Sequence, residues 1–302
     1  MQNEPCGVIL VNKHKGVTSH DIVNKIRRLY NTKKVGHTGT LDPLATGVLP
    51  ILIGRGAKAA EYLISENKGY SAIIQLGITT DTEDITGNVL SKSDTLPTKN
   101  EFFEAVKHFE GEITQIPPMY SALKVDGKKL VDLAREGKTV ERQGRKITVY
   151  SINAVCVNEE KGIYALDVDC SKGTYIRTLC ADIGARLGCG AVMSELNRTK
   201  SGNFTLDNAH TVAQIEEMSK EQRLELVKPI EELFVEAPSV TLPDFYAKLC
   251  RSGCEIYQKK IKTSYRVDEF IRICDKDGFF ALGQVKEYPE GTAIKALKLF
   301  KL

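Results

Sequence analysis

Residues 36–47 read Gly36-His37-Thr38-Gly39-Thr40-Leu41-Asp42-Pro43-Leu44-Ala45-Thr46-Gly47. Glycine and threonine are so dense here, with Val35 leading in, that the whole stretch 35–47 predicts a loop with no regular structure. Its glycines would let backbone approach a phosphate or a base. It lacks the Gly-x4-Gly-Lys-[Ser/Thr] pattern of a triphosphate-binding loop, and Gly54-Arg55-Gly56 lacks the third glycine of a dinucleotide fingerprint, which argues against a bound nucleotide. The loop holds one carboxylate, Asp42. Pro43 follows it, which biases Asp42 toward extended backbone and so fixes where its side chain points. On pattern alone, an Asp bonding its own backbone in a turn is the commoner reading, with a reactive group as the sharper one.

Upstream of this loop, residues 7–12 (GVILVN) predict a short buried strand, broken at Lys15-Gly16. Thr18 and Ser19 offer N-caps to a helix in which Ile22, Val23, Ile26, Leu29 and Tyr30 recur at helical spacing. Downstream lie an apolar run at 48–53 with Pro50 inside it, a strand at 68–76, a polar turn at 79–88 and a helix at 101–109. Past Pro117-Pro118 the chain turns basic, with a turn at Asp126-Gly127 and a short helix at 130–134 ended by Gly137. Residues 147–157 and 163–170 predict a hairpin turning at Lys161-Gly162. A helix follows with Ile176, Leu179, Cys180, Ile183 and Leu187 on one side, ended by Gly188 and Gly190, and then a strand at 191–196. An acidic helical stretch at 212–234 closes this part, and residues 236–243 (EAPSVTLP) mark a boundary. Beyond it, β-runs at 270–274, 279–285 and 293–300 are separated by Asp277-Gly278 and Glu290-Gly291. The expected fold class is α+β: a mixed, mainly antiparallel sheet flanked by helices over residues 1–236, with an inserted flap at about 116–150, and a small, mostly β domain at 237–302.

With 302 residues, 42% hydrophobic and 27% charged, the chain is long enough for about two globular domains without disulfide staples. No apolar run approaches the ~20 residues of a membrane helix, and MQNEPC at the start lacks a basic and an apolar leader region, so a cytoplasmic protein is expected. Of the eight cysteines only Cys250 and Cys254 are closely spaced, and with no second pair or nearby His no metal site is expected. Net charge is only +3, but it is unevenly spread. Residues 1–59 carry nine Lys or Arg against three Asp or Glu, and 120–150 carry eight against four, while 203–236 carry three against eight. The basic stretches coincide with the motif-bearing ones, which suggests a positive face for a polyanion; scattered solvated lysines give the same count.

The string GHTGTLDPLATGVLP at 36–50, followed by KGY at 68–70, YSALK at 120–124, SKGTYIRTL at 171–179 and LGCGA at 187–191, resembles the TruB family of tRNA pseudouridine synthases. The resemblance runs in order from Gly7 to about Gly202, and the tail resembles the PUA RNA-binding module. It implies the pseudouridine synthase fold and an isomerase that breaks the N-glycosidic bond of a uridine in the T-loop of tRNA, position 55, and rejoins the base through carbon. It implies that Asp42 is the reacting carboxylate, attacking either the base or the sugar carbon, and that Arg177 is its cationic partner, holding it through a bidentate guanidinium. It further implies that Tyr70 packs on the extruded uracil, that His37 inserts into the T-loop, and that Tyr175 and Leu196 line the base pocket. Charge alone suggests Lys58 and Lys13 as phosphate contacts.

The basic insertion at 116–150 is similar to one carried by stand-alone family members, implying an enzyme that needs tRNA but no guide RNA, no obligatory protein partner and no cofactor, and that works as a monomer. The competing reading is a tRNA-binding or folding protein in which the chemistry is not essential. Asp42 separates the two, because a pure binder gains nothing from a carboxylate facing an anionic ligand.

Overall fold

The computed structural model describes residues 5–63, 67–125 and 127–301. The apolar run after the quoted loop forms the strand Thr46–Ile53. Leu49, Ile51 and Ile53 point into one core and Val48 and Leu52 into another. A strand alternates its side chains between two faces, so a run apolar throughout is what a strand covered on both sides requires. Fully burying one such Ile or Leu contributes about 2 kcal/mol.

Gly7–Lys13 pairs antiparallel along one edge of this strand, with Leu10 opposite Pro50. The other edge splits. Thr46 and Gly47 pair in parallel with Asn197 and Arg198, whereas Ile51, Leu52 and Ile53 pair with the short strand Val35–His37. The expectation of a wholly irregular 35–47 is therefore corrected at both ends, where sheet pairing overrides the poor strand propensity of Gly, His and Thr. The loop that remains bridges the split, and its middle residue positions are 38–45.

The main sheet has nine strands in the order Gly7–Lys13, Thr46–Ile53, Ala191–Ser201, Lys68–Leu76, Ile163–Cys170, Arg145–Asn158 and Gly111–Gln115, with Val35–His37 and Phe204–Thr205 added at the side. Apart from the Thr46 end, its pairings are antiparallel. Helices Ser19–Leu29, Lys99–Lys107 and Ile176–Arg186 cover one face through Ile22, Ile26, Phe102, Val106, Leu179 and Ile183. The first two begin with capping boxes, Thr18 with Asp21 and Thr98 with Glu101, which satisfy amide donors that a helix start leaves open.

The acidic helical stretch divides into helices Val212–Glu217 and Lys220–Glu225 and the short 3-10 helix Ile230–Phe234. Ser219 starts a new capping box directly after an extended Met218, which is why continuous acidic helicity does not survive.

Gly111–Gln115 is the edge strand and Arg145–Asn158 its neighbour, with Gln115 opposite Arg145, so the intervening chain hangs from the sheet edge as a flap. Residues 145–150 of the basic stretch lie in the sheet. The flap contains the helix Leu130–Arg135, followed by Gly137, and a tiny hairpin of Lys124–Val125 with Lys128–Lys129. Asp126, half of the expected turn signal, lies outside the described residues.

The tail forms a five-stranded sheet ordered Ser239–Thr241, Phe270–Asp275, Gly278–Tyr288, Gly291–Leu299 and Ile256–Tyr257, with the helix Asp244–Arg251 beside it. It packs Phe279, Leu282 and Phe300 against Phe234 and the outer face of Val8, Leu10, Val48 and Leu52.

Candidate active site

The loop across the sheet split is pinned from below. Lys13, fully buried, donates from Nζ to the carbonyls of Ala45 at 2.6 Å and His14 at 3.0 Å. Ser19 Oγ accepts from Leu41 N at 2.8 Å and donates to Leu41 O at 3.1 Å, while Gly16 N donates to Pro43 O at 2.8 Å. Gly47 closes the loop at φ +112°, and a Cβ there would stand 2.3 Å from the Arg198 carbonyl. These contacts hold the backbone around Asp42 from both sides.

Asp42 keeps 31% of its side-chain surface open, whereas Arg177 beneath it keeps 5%. Arg177 Nη2 lies 3.4 Å from Oδ2 and 3.5 Å from Oδ1 of Asp42, and also donates to the Tyr120 carbonyl at 2.5 Å. Its Nη1 is 3.9 Å from Asp84 Oδ2. The expected bidentate fork is therefore corrected: one nitrogen serves both oxygens of Asp42, because the guanidinium is shared with a second carboxylate and a flap carbonyl. Burial pushes the Asp42 carboxyl above its ordinary range; Arg177 and Lys13 oppose this and Asp84 reinforces it.

Arg177 sits in the first turn of Ile176–Arg186, whose N-cap is Tyr175. Gln115 fixes that start twice, accepting from Tyr175 N at 2.8 Å and donating to Tyr175 O at 3.1 Å. The guanidinium carbon lies 5.9 Å from the Tyr175 ring centroid, so the Tyr175 ring flanks the same cleft. Asp84 is held by Thr82 Oγ1 at 3.0 Å and by Thr86 N and Oγ1 at 2.9 and 2.5 Å.

Tyr70 stands on Lys68–Leu76 directly opposite Arg198 in the sheet register; burial raises its phenol and the nearby Arg198 charge opposes this. Leu196 is buried in the same strand as Arg198, and its carbonyl accepts from Thr46 Oγ1 at 3.3 Å. His37 ends Val35–His37, and its Nδ1 accepts from Gly39 N at 3.2 Å, which places any ring proton on Nε2. Burial first, then Arg198 and His20, lowers the His37 imidazole, so it is neutral at pH 7.

Two residues fall apart from this group. Lys13 cannot touch a phosphate: it lies beneath the loop with its ammonium on backbone carbonyls, and burial pulls it down to about 8 against the attraction of Asp42. Lys58 is exposed in the turn Gly54–Ala59, past the far end of Thr46–Ile53, and among the described residues no hydrogen bond or ion pair joins it to Asp42. A cleft of about 600 Å³ between Tyr62, Lys200, Phe234 and Phe270 also lies away from Asp42, and size alone does not mark the chemistry.

A half-open carboxylate over a buried cation can attack, or take a proton from, a flat ring brought against it. A family model described as TruB family pseudouridylate synthase (N terminal domain) matches residues 27–176, and one described as tRNA pseudouridylate synthase B C-terminal domain matches 177–235. Proteins named tRNA pseudouridine synthase B are 42% identical to this chain in Clostridium tetani, over 92% of this chain and 95% of that protein. In Clostridioides difficile the identity is 40%, over 97% and 99%. The chain belongs to the TruB family of pseudouridylate synthases. Its fold agrees with that of a Cbf5-Nop10-Gar1 complex, at TM-score 0.74 and 28% identity over 98% of this chain and 85% of that one. It agrees equally with an H/ACA RNP bound to a substrate RNA containing 2'-deoxyuridine, at TM-score 0.73 and 26% identity over 98% and 85%. Among the described residues no helix is long and apolar enough to cross a membrane.

Sequence reasoning missed three residues of this TruB-family site: Arg198, Asp84 and Gln115. Arg198 and Gln115 look like ordinary polar residues of strands, and Asp84 like one more member of a polar turn. Only their burial, visible once the strands are paired, sets them apart.

Proposed function

We propose that this chain isomerises a uridine in the T-loop of tRNA, position 55, to pseudouridine, with Asp42 as the reacting carboxylate and Arg177 as its counter-charge. The observation that carries this reading is the open Asp42 carboxylate seated on the nearly buried Arg177 guanidinium. A protein that only binds RNA gains nothing from aiming a negative charge at a polyanion, while an isomerase needs one reactive group and a fixed cation to orient it. In the reaction the bond from the sugar C1' to N1 breaks and a bond from C1' to C5 forms; C5 loses a proton and N1 gains one, so no external reductant or energy donor enters. Asp42 acts on the base or on the sugar carbon, and both routes use the same carboxylate.

In this reading the extruded base lies between Tyr70, Tyr175 and Leu196, His37 keeps the T-loop open as a neutral imidazole, and Lys58 meets a phosphate outside the cleft. Residues 1–236 form the catalytic unit, with 116–150 closing over the RNA, and 237–302 form a PUA-like RNA-binding module. The enzyme works in the cytoplasm as a monomer on tRNA itself, without cofactor, guide RNA or obligatory protein partner.

The test is incubation with unmodified tRNA whose uridines carry tritium at C5, followed by mapping of carbon-linked uridine. Release of tritium and a product confined to the T-loop support the reading. A T-loop left as uridine, with tight RNA binding, favours the folding-protein alternative.

A further inference from the structure

The helix Ile176–Arg186, which carries Arg177 in its first turn, starts without a side-chain cap. Tyr175 stands at its N-cap in extended backbone, φ −100° and ψ 108°, and its side chain bonds none of the open amides. Nothing local then fixes the direction in which the helix sets out. Gln115 supplies the restraint from another strand. Its Oε1 accepts from Tyr175 N at 2.8 Å and its Nε2 donates to Tyr175 O at 3.1 Å, the pair of bonds that a facing strand residue would make. The same carbonyl accepts the first helical bond, from Leu179 N at 3.0 Å. Gln115 is 2% exposed, so each end of its amide requires the partner it has.

The guanidinium end of Arg177 is held less firmly. Its distances to Asp42, 3.4 and 3.5 Å, and to Asp84, 3.9 Å, exceed those of a good hydrogen bond, and among the described residues Nε has no partner. The Tyr120 carbonyl is closer, at 2.5 Å. With the head group bound this loosely, the backbone that bears it decides how far it stands from Asp42. Gln115 ends the strand from which the flap leads off, and Tyr120 lies just beyond Pro117-Pro118, so this lead-in is clamped to one helix turn at both ends.

We infer that Gln115 is a positioning residue: by pairing with both backbone groups of Tyr175, it sets where the first turn presents the Arg177 guanidinium to Asp42. It acts through Tyr175 and Arg177, not on the substrate. The inference rests on the reading of Asp42 and Arg177 given above.

Gln115→Met keeps the length of the side chain and loses both bonds. Gln115→Asn keeps the amide on a stem one methylene shorter, too short to meet both groups at once. The test titrates the Asp42 carboxyl by carbon NMR in the free protein, alongside single-turnover tritium release, tRNA Kd and melting temperature. Arg177 holds that carboxyl down against burial, while Lys13 and Asp84, the other charges that act on it, are left in place by either substitution. In Gln115→Met the carboxyl should titrate higher than in wild type by about half a pH unit or more, because its counter-charge has moved off. Single turnover should slow by about 100-fold with Kd within a few fold, the loss expected when reacting groups are misplaced by about 1 Å. Gln115→Asn should move both readouts the same way by less, and it carries the test where Gln115→Met does not fold. An unmoved carboxyl in the folded variant overturns the inference, as does a rate loss matched by Kd or by melting temperature. A wild type that makes no pseudouridine would refute the proposed function instead, and the titration, which requires no turnover, still decides the role of Gln115.

Discussion

The loop that carries Asp42 and the flap that hangs above it meet at the same guanidinium, yet they are held by opposite means. Beneath the loop lie Lys13, Ser19 and Arg198, all buried and all bonded to its backbone. The flap meets the site through the Tyr120 carbonyl on Arg177, while Arg142 Nη1 on Pro117 O at 3.0 Å is a bond within the flap itself, where Leu130 and Leu133 are buried. Much of its surface is exposed. Local opening is easiest where few apolar groups are buried, so the flap can yield to an incoming RNA while the loop keeps its shape. Geometry around Asp42 is built in on folding, and adaptation is left to the flap.

The largest effect should come from the reacting oxygen itself. Asp42→Asn removes the charge but little volume, and tritium release should fall by at least about a thousand-fold with tRNA Kd within a few fold. Measurable turnover at the wild-type rate would take Asp42 out of the mechanism.

The rigid side of the comparison is probed next by Gly47→Ala. Its Cβ would meet the Arg198 carbonyl at 2.3 Å with φ at +112°, so the change should destabilise the fold by about 3 kcal/mol, read from urea melts. An unaffected midpoint would mean that the loop can shift to make room, and the contrast with the flap would lose its basis.

Lys13 gives a pH signature of the same rigidity. Burial lowers it from 10.5 to about 8, so between those values it is neutral in the folded chain and charged in the unfolded one. The unfolded state then binds more protons, and stability rises with pH across that window. Wild-type stability measured relative to Lys13→Met should climb by about 3 kcal/mol from pH 8 to 10.5, and a flat difference would show an ammonium less desolvated than its three carbonyl neighbours imply.

The smallest effect belongs to the flap. Joining Gln115 to Arg145 by a short Gly-Ser turn is feasible because the two residues already face each other across the sheet edge. The melting temperature should move by only a few degrees, while tRNA Kd should weaken by about tenfold, ~1.4 kcal/mol. A collapse in melting temperature would make the flap as structural as the loop.

Much of this architecture is legible from local pattern. The period-2 and period-3.6 runs give the strands and helices, Thr18 gives a helix start, and the unusual glycine density at 36–47 points at the loop, whereas the Thr98 cap, three residues before the expected start at 101, goes unread. What pattern misses is set by distance in sequence. Arg198 bonds Val48, 150 positions away, and Gly39, 159 away, so no window of sequence shows that its charge is buried. Lys13 misleads for the same reason: a lysine after a strand looks solvated until the loop that covers it is folded into place. The breaks within the acidic helical stretch 212–234 have a local cause, since Ser219 and Pro229 each start a new segment.

Because Thr46–Ile53 sends alternate side chains into two cores, the tail is more than an attachment. A chain cut after residue 236 would leave Val48, Leu52, Val8 and Leu10 with part of their roof gone, on the back of the very strand that anchors the Asp42 loop. The protein should therefore melt as one cooperative body, and the tail helps keep the Asp42 loop in shape even before any nucleic acid arrives.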